Sequence, residues 1–194
     1  MVHRIGKIAR ILTIAAWGLI VIVCLTLYLI YPNKFTPQEL AVALREFQGS
    51  IWLGYLAMSA IRGLTLLPST PLVIAGTLIF PDQLVAVFAV SMVGIVLSSS
   101  MVYFFSDHLG LADYFDKRKP ELVHKMKAKL EHPQGFVFVA LWAFFPFVPT
   151  DLVCYLAGTI RINFAKFIAA IFVGESVLCS FYIFFGGAVL SYLR

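Results

Sequence analysis

Long apolar runs, interrupted by short polar breaks and by prolines, set the pattern of this chain. Residues Ile11 to Tyr31 form an unbroken apolar run behind the basic head HRIGKIAR. About 20 apolar residues suffice to cross a bilayer as a helix. The run is longer than the apolar core of a signal peptide and no small-x-small cleavage site follows it, so a retained transmembrane helix is expected over residues 1–31 rather than a cleaved leader. The polar break PNKFTPQEL comes next. Thr36, Pro37 and Glu39 have the order of a helix start: N-cap, first-turn proline, acid at the third position. Leu40, Leu44 and Phe47 then recur at helical spacing, which predicts a short interfacial helix within residues 32–50.

Residues 51–67 are apolar apart from Arg62 and lead into LLPSTPLVIAGTLIF (66–80), where Pro68, Pro71 and Gly76 oppose a spanning helix. Leu84 to Phe105 is a second clean span. Residues 106–134 are polar and carry Lys117, Arg118, Lys119, Lys125, Lys127 and Lys129. Within this stretch Pro120 can open a helix with the apolar stripe Leu122, Val123, Met126 and Leu130. It reads equally as an amphipathic helix on the membrane surface and as an ordinary connector. Residues 135–149 are apolar again and run into a second broken segment, FVPTDLVCYLAGTIR. Phe164 to Leu190 is the last long span, interrupted by Lys166 and Glu175.

Composition agrees with a non-aqueous solvent. The 194 residues are 61% hydrophobic and 13% charged, where soluble domains are about 45–50% apolar and a quarter charged. The net charge of +5 is concentrated before residue 11 and between 117 and 129, with no aromatic interleaving. That excludes a nucleic-acid surface and marks cytoplasmic flanks facing anionic headgroups.

The positive-inside rule then constrains the path. The N-terminus and the 106–134 loop both belong inside, and the spans 11–31 and 84–105 already take the chain out and back. Residues 51–80 therefore make no net crossing: they descend to Pro68–Pro71 and return through 72–80. The returning arm of nine residues reaches roughly 14 Å as helix, about half of a ~30 Å hydrocarbon core. By the same logic 135–160 enters from the cytoplasmic side, and the C-terminus lies outside.

The two broken segments also match. LPSTPLVIAGTLI aligns with VPTDLVCYLAGTI with one extra residue before AGT, and Gly94 and Gly174 follow in the next helices. The expected fold is an all-α integral membrane protein: an N-terminal transmembrane helix, then an inverted repeat (51–105 and 135–194) of two re-entrant helical hairpins, each followed by a long transmembrane helix. This architecture recurs in transporters.

Enzyme signatures are absent. Cys24, Cys154 and Cys179 have no CxxC or Cys/His spacing, the four histidines have no metal-ligand spacing, and no GxSxG, HExxH or P-loop occurs. No catalytic activity, metal or cofactor is expected.

The paired hairpins, the LPSTP…AGT turn and the stretch PFVPTDLVCYLAGTIRINFAKF resemble the DedA superfamily, and within it the VTT-domain branch once labelled SNARE-associated Golgi proteins. The resemblance covers about residues 45 to 190. It implies a multi-pass protein of the bacterial inner membrane that moves lipids between leaflets, with proton coupling in several members. Two positions depart from the family pattern. Trp142-Ala143-Phe144 stands where many relatives carry an arginine, and Ser69 and Thr70 stand where members often have an acid.

Three charges fall at depth. Arg62 lies 11 residues past Ile51, roughly 16 Å along a helix, and Glu175 lies equally far past Phe164. Asp151 sits at the tip of the second hairpin. An ionised side chain there costs about 2.5–3.5 kcal/mol on insertion scales, so each should face a partner or water. The expected transport site is Arg62, Asp151 and Glu175 with the turn residues Pro68, Pro71, Gly76, Pro146, Pro149 and Gly158. Arg62 would receive an anionic headgroup, and a carboxylate would carry a proton or compete for Arg62. Alternatively the charges pair permanently and only tie the hairpins together. Arg161, Lys117, Arg118 and Lys119 are expected to meet headgroups at the interface. A lipid transporter, flippase or scramblase leads. A small-solute or ion transporter using the same cavity, and a non-transporting membrane-homeostasis factor, are the alternatives.

Overall fold

A computed structural model of the chain describes residues 2–108, 120–146 and 149–186, which are helical with no strand among them. Helix α1 (Val2–Ile30) is apolar on every side from Leu12 onward. Its packed positions nevertheless recur at helical spacing: Thr13 and Ile14, Trp17 and Gly18, Val21, Cys24 and Leu25, Tyr28. The remaining circumference is exposed. A 3₁₀ turn (Pro32–Phe35) leads to α2 (Pro37–Arg45). Thr36 Oγ1 accepts the Glu39 N–H at 3.4 Å, so the cap read from the sequence is made. Ala41 and Leu44 are buried beneath α2.

Helix α3 (Ile51–Ile61) stops well short of residue 67. The chain tightens into a 3₁₀ turn (Arg62–Thr65) and then enters the left-handed region at Leu66, with φ 60°. Helix α4 (Thr70–Ile79) begins at once, with Pro71 in its first turn. Pro71 therefore starts a helix rather than breaking one, because a first-turn N–H has no intrahelical acceptor to lose. Gly76 is likewise no breaker: it lies within α4, where a Cβ would stand 2.6 Å from the Tyr55 hydroxyl.

Helix α5 (Leu84–His108) is the second long span and runs three residues beyond the expected end. Helix α6 (Pro120–Glu131) opens at Pro120. Val123, Met126 and Leu130 pack on the core, whereas Leu122 is exposed, so the stripe is narrower than its pattern. Helices α7 (Pro133–Phe144) and α8 (Thr150–Thr159) follow. Pro149 immediately precedes α8, and Gly158 lies inside it. After a left-handed Arg161 (φ 50°), Asn163 Oδ1 accepts the Lys166 N–H at 3.0 Å and starts α9 (Phe164–Ser180). Helix α9 continues as a π-helical turn (Phe181–Phe185). The end of the expected last span, beyond residue 186, lies outside the described residues.

Among the described residues three stretches are long and apolar enough to cross a membrane: Leu12–Ile30, Leu84–Ser106 and Phe164–Phe185. Helix α3 packs along α5, and α7 packs along α9. Both crossings use a glycine. A Cβ at Gly94 would collide with Ser59, and one at Gly174 with the Ala140 carbonyl. Small residues of this kind let helix backbones approach where no hydrophobic effect drives association. The shorter arms differ. Helix α8 is clamped on α5, with Val153, Cys154 and Ala157 buried and Gly158 against the Tyr103 carbonyl. Helix α4 instead packs on α2 and the π turn. The Arg45 guanidinium holds its end by donating to the Leu78 carbonyl at 2.9 Å.

Candidate functional site

The site forms where the two proline turns meet. Arg62 is the first residue after α3, and its Nη1 donates to Asp151 Oδ2 at 3.2 Å and to the Leu67 carbonyl at 3.3 Å. Asp151 is the second residue of α8, so its carboxylate sits at the positive end of that helix as well as beside the guanidinium. Both side chains are nearly inaccessible, at 8% and 3% exposed. A charge pair this dry holds only where each charge has its partner.

Glu175 does not join that pair. It is 1% exposed, and its Oε1 accepts the Thr150 hydroxyl at 2.7 Å. Its Oε2 has no hydrogen-bond partner among the described residues, and neither has the hydroxyl of Ser98. Thr150 thus stands between two carboxylates, adjoining Asp151 in sequence and bonded to Glu175.

The turns carry irregular backbone within the bundle, and its buried polar groups must find partners inside the protein. Side chains supply them. Thr65 Oγ1 donates to the Arg62 carbonyl at 2.6 Å. The Leu64 carbonyl accepts from Trp17 Nε1 at 3.0 Å and from the Tyr155 hydroxyl at 3.3 Å. Trp142 Nε1 donates to the Pro149 carbonyl at 3.4 Å. Gly63 lets the first turn press against α5 and α8: a Cβ there would collide with the Ser98 hydroxyl and stand 2.8 Å from Asp151 Oδ1.

Arg62, Asp151 and Thr150 face a cavity of about 370 Å³. Pro68 and Pro71 of the first turn and Pro146 and Pro149 of the second line it, and Tyr28 and Tyr182 contribute from α1 and the π turn. Of the residues expected at the site, these six — Arg62, Asp151 and the four prolines — share one wall. Gly76 and Gly158 lie in helix contacts away from it, and Glu175 sits behind Thr150. Arg161 is exposed beyond the end of α8. Lys117, Arg118 and Lys119 lie outside the described residues. Sequence reasoning passed over Thr150, Gly63, Tyr28 and Tyr182. Thr150 was readable as the polar neighbour of Asp151 in VPTD. The tyrosines were the hydroxyl-bearing aromatics within otherwise apolar runs.

Among the described residues no group of His, Cys, Asp and Glu could hold a metal ion. A family model described as the VTT domain matches residues 67–188. No curated protein and no solved structure gives a match.

Proposed function

The chain belongs to the VTT-domain family, the domain of the DedA and SNARE-associated Golgi proteins, and from that premise we propose that it carries lipids with anionic headgroups between leaflets. With its three long apolar helices it is a membrane protein of the DedA type. On our reading α3 and α4 form a re-entrant hairpin from one face and α7 and α8 form its inverted counterpart from the other. The ten residues of α4 reach about 15 Å, half the hydrocarbon core. The N-terminus is then cytoplasmic and the C-terminus outside, in a bacterial inner membrane.

The observation that carries this reading is the Arg62–Asp151 pair, which joins the two turns on the wall of one cavity. A phosphate headgroup competes with Asp151 for the guanidinium, which prefers bidentate anionic oxygens. The N–H groups at the start of α8 face the same space and favour an anion. Release returns Arg62 to Asp151, so the pair is a built-in competitor that keeps the headgroup from binding irreversibly. Glu175, with its unpartnered Oε2 behind Thr150, is the group we assign to proton coupling.

The test is exchange of labelled phospholipids and polyprenyl phosphates between leaflets of liposomes that hold only the purified protein. Arg62→Ala should abolish exchange per folded molecule. A second reading is favoured by the depth of the same ion pair: Arg62 and Asp151 tie the turns together and touch no substrate. Normal exchange per folded Arg62→Ala molecule, at reduced folded yield, would establish that reading.

A further inference from the structure

A second cavity, of about 450 Å³, runs between α4 and the π turn. Ile74, Thr77 and Leu78 line it on one side and Phe181, Ile183 and Phe184 on the other. Pro81 and Leu84 line it beyond the end of α4 remote from the proline turn. Tyr182 lines this cleft and also the cavity of Arg62 and Asp151. A polar chamber thus adjoins an apolar one across a single amphipathic side chain. Phe181, Phe184 and Leu78 expose much of their surface, so the cleft is open toward the surroundings of the helix bundle.

We propose that this cleft is a lateral portal, occupied by a hydrocarbon chain of the same anionic lipid whose headgroup Arg62 receives. The inference rests on the headgroup reading above and adds the route by which the lipid enters. Moving a headgroup to mid-depth without such a route would drag its chains through protein or water. A cleft lined by aliphatic and phenyl groups keeps them in a hydrocarbon setting throughout. The two arms are built for this difference. Helix α8 is clamped to α5 by buried side chains and by Gly158 on the Tyr103 carbonyl. Helix α4 rests on α2 and borders the cleft. A small soluble anion needs no such cleft, so the portal argues for a substrate with chains.

The experiment separates the portal from the headgroup site. Leu78→Cys is made in a Cys24→Ser background, purified, reconstituted and then blocked with a bulky maleimide, so that folding precedes obstruction. Thr77→Trp serves as the uncharged, reagent-free counterpart; Thr77 makes only a local bond to the Ile74 carbonyl. Two quantities are read: leaflet exchange of a labelled phosphatidylglycerol, and binding of methyl phosphate, which has no chain to route. Obstruction should slow exchange at least about tenfold, as any added barrier of 1.4 kcal/mol does, while methyl phosphate binding stays at the wild-type level. Unchanged exchange in the blocked protein overturns the portal. Equal loss of exchange and methyl phosphate binding also overturns it, because the cleft is then only a support of the headgroup site. If blocking instead dissociates an oligomer and leaves exchange intact, the cleft belongs to a second copy of the chain and the portal is wrong. Failure of the wild type to bind methyl phosphate at all sinks the headgroup reading first and the portal with it.

Discussion

Arg62 and Asp151 are 89 residues apart in the chain and 3.2 Å apart in the fold. Their contact joins the two turns on the wall of one cavity. Burial makes it conditional: a charge this deep is tolerable while its counter-charge is present, and a liability once alone.

Removing either partner should therefore destabilise the protein more than removing both. Arg62→Ala or Asp151→Ala alone should cost about 3–5 kcal/mol, and the double variant clearly less than the sum. Reversible denaturation in detergent micelles, read as a double-mutant cycle, checks this. Strict additivity would mean that the two groups do not sense each other.

Asp151→Asn keeps the shape of the side chain and removes its competition for Arg62. On the headgroup reading this variant should bind methyl phosphate more tightly, by about tenfold for each 1.4 kcal/mol of competition relieved. It should exchange lipid more slowly, because release becomes limiting. Titration calorimetry and liposome exchange measure the two effects, and faster exchange would contradict the competitor role.

Thr150→Val preserves volume but strips Glu175 of its one hydrogen bond among the described residues. A loss of about 1–3 kcal/mol is expected, as for any buried polar group left unpaired. Adding Glu175→Met should restore most of it, because the orphaned group is then gone. Thermal denaturation of the two variants decides the matter.

Gly63→Ala should be poorly tolerated, since the added methyl meets the Ser98 hydroxyl and crowds Asp151. Overpacking of this kind costs about 1–3 kcal/mol. Ser98→Gly opens the space on α5 and should rescue Gly63→Ala in a denaturation assay. Without rescue, the turn is held by something other than that contact.

Arg45→Ala removes the side chain that closes the end of α4. The residue is exposed, so global stability should move by no more than about 1 kcal/mol. Amide exchange in the last turn of α4 should nonetheless quicken several-fold relative to α8, whose buried face is clamped on α5.

The helix starts were legible because their signals are local. Thr36 with Glu39, Pro120, and the clean span from Leu84 each announce themselves within a few residues. The burial of Arg62 and Asp151 was also legible, since an isolated charge within a long apolar run needs a partner or water. What the pattern hid is tertiary. In a run as uniformly apolar as Leu12–Ile30, composition cannot tell the packed stripe from the rest, so Trp17 gave no sign of its role. Pro71 and Gly76 were misread as breakers because a proline's effect depends on its position in the helix, and a glycine's on what crosses it. Glu175 is buried, as a charge within an apolar span suggests, but its choice of Thr150 over Arg62 is decided by side-chain directions that only the packed structure fixes. The two arms looked equivalent in sequence, yet α8 is gripped by α5 while α4 leans on α2.

Only 6% of the Leu12–Ile30 stretch is buried, and its packed positions form one narrow seam that runs from Thr13 to Tyr28. Such a helix is a mooring rather than a wall. It reaches the first turn through the Trp17 indole and borders the Arg62 cavity through Tyr28, so phenylalanine at position 17 would leave the Leu64 carbonyl to the Tyr155 hydroxyl alone.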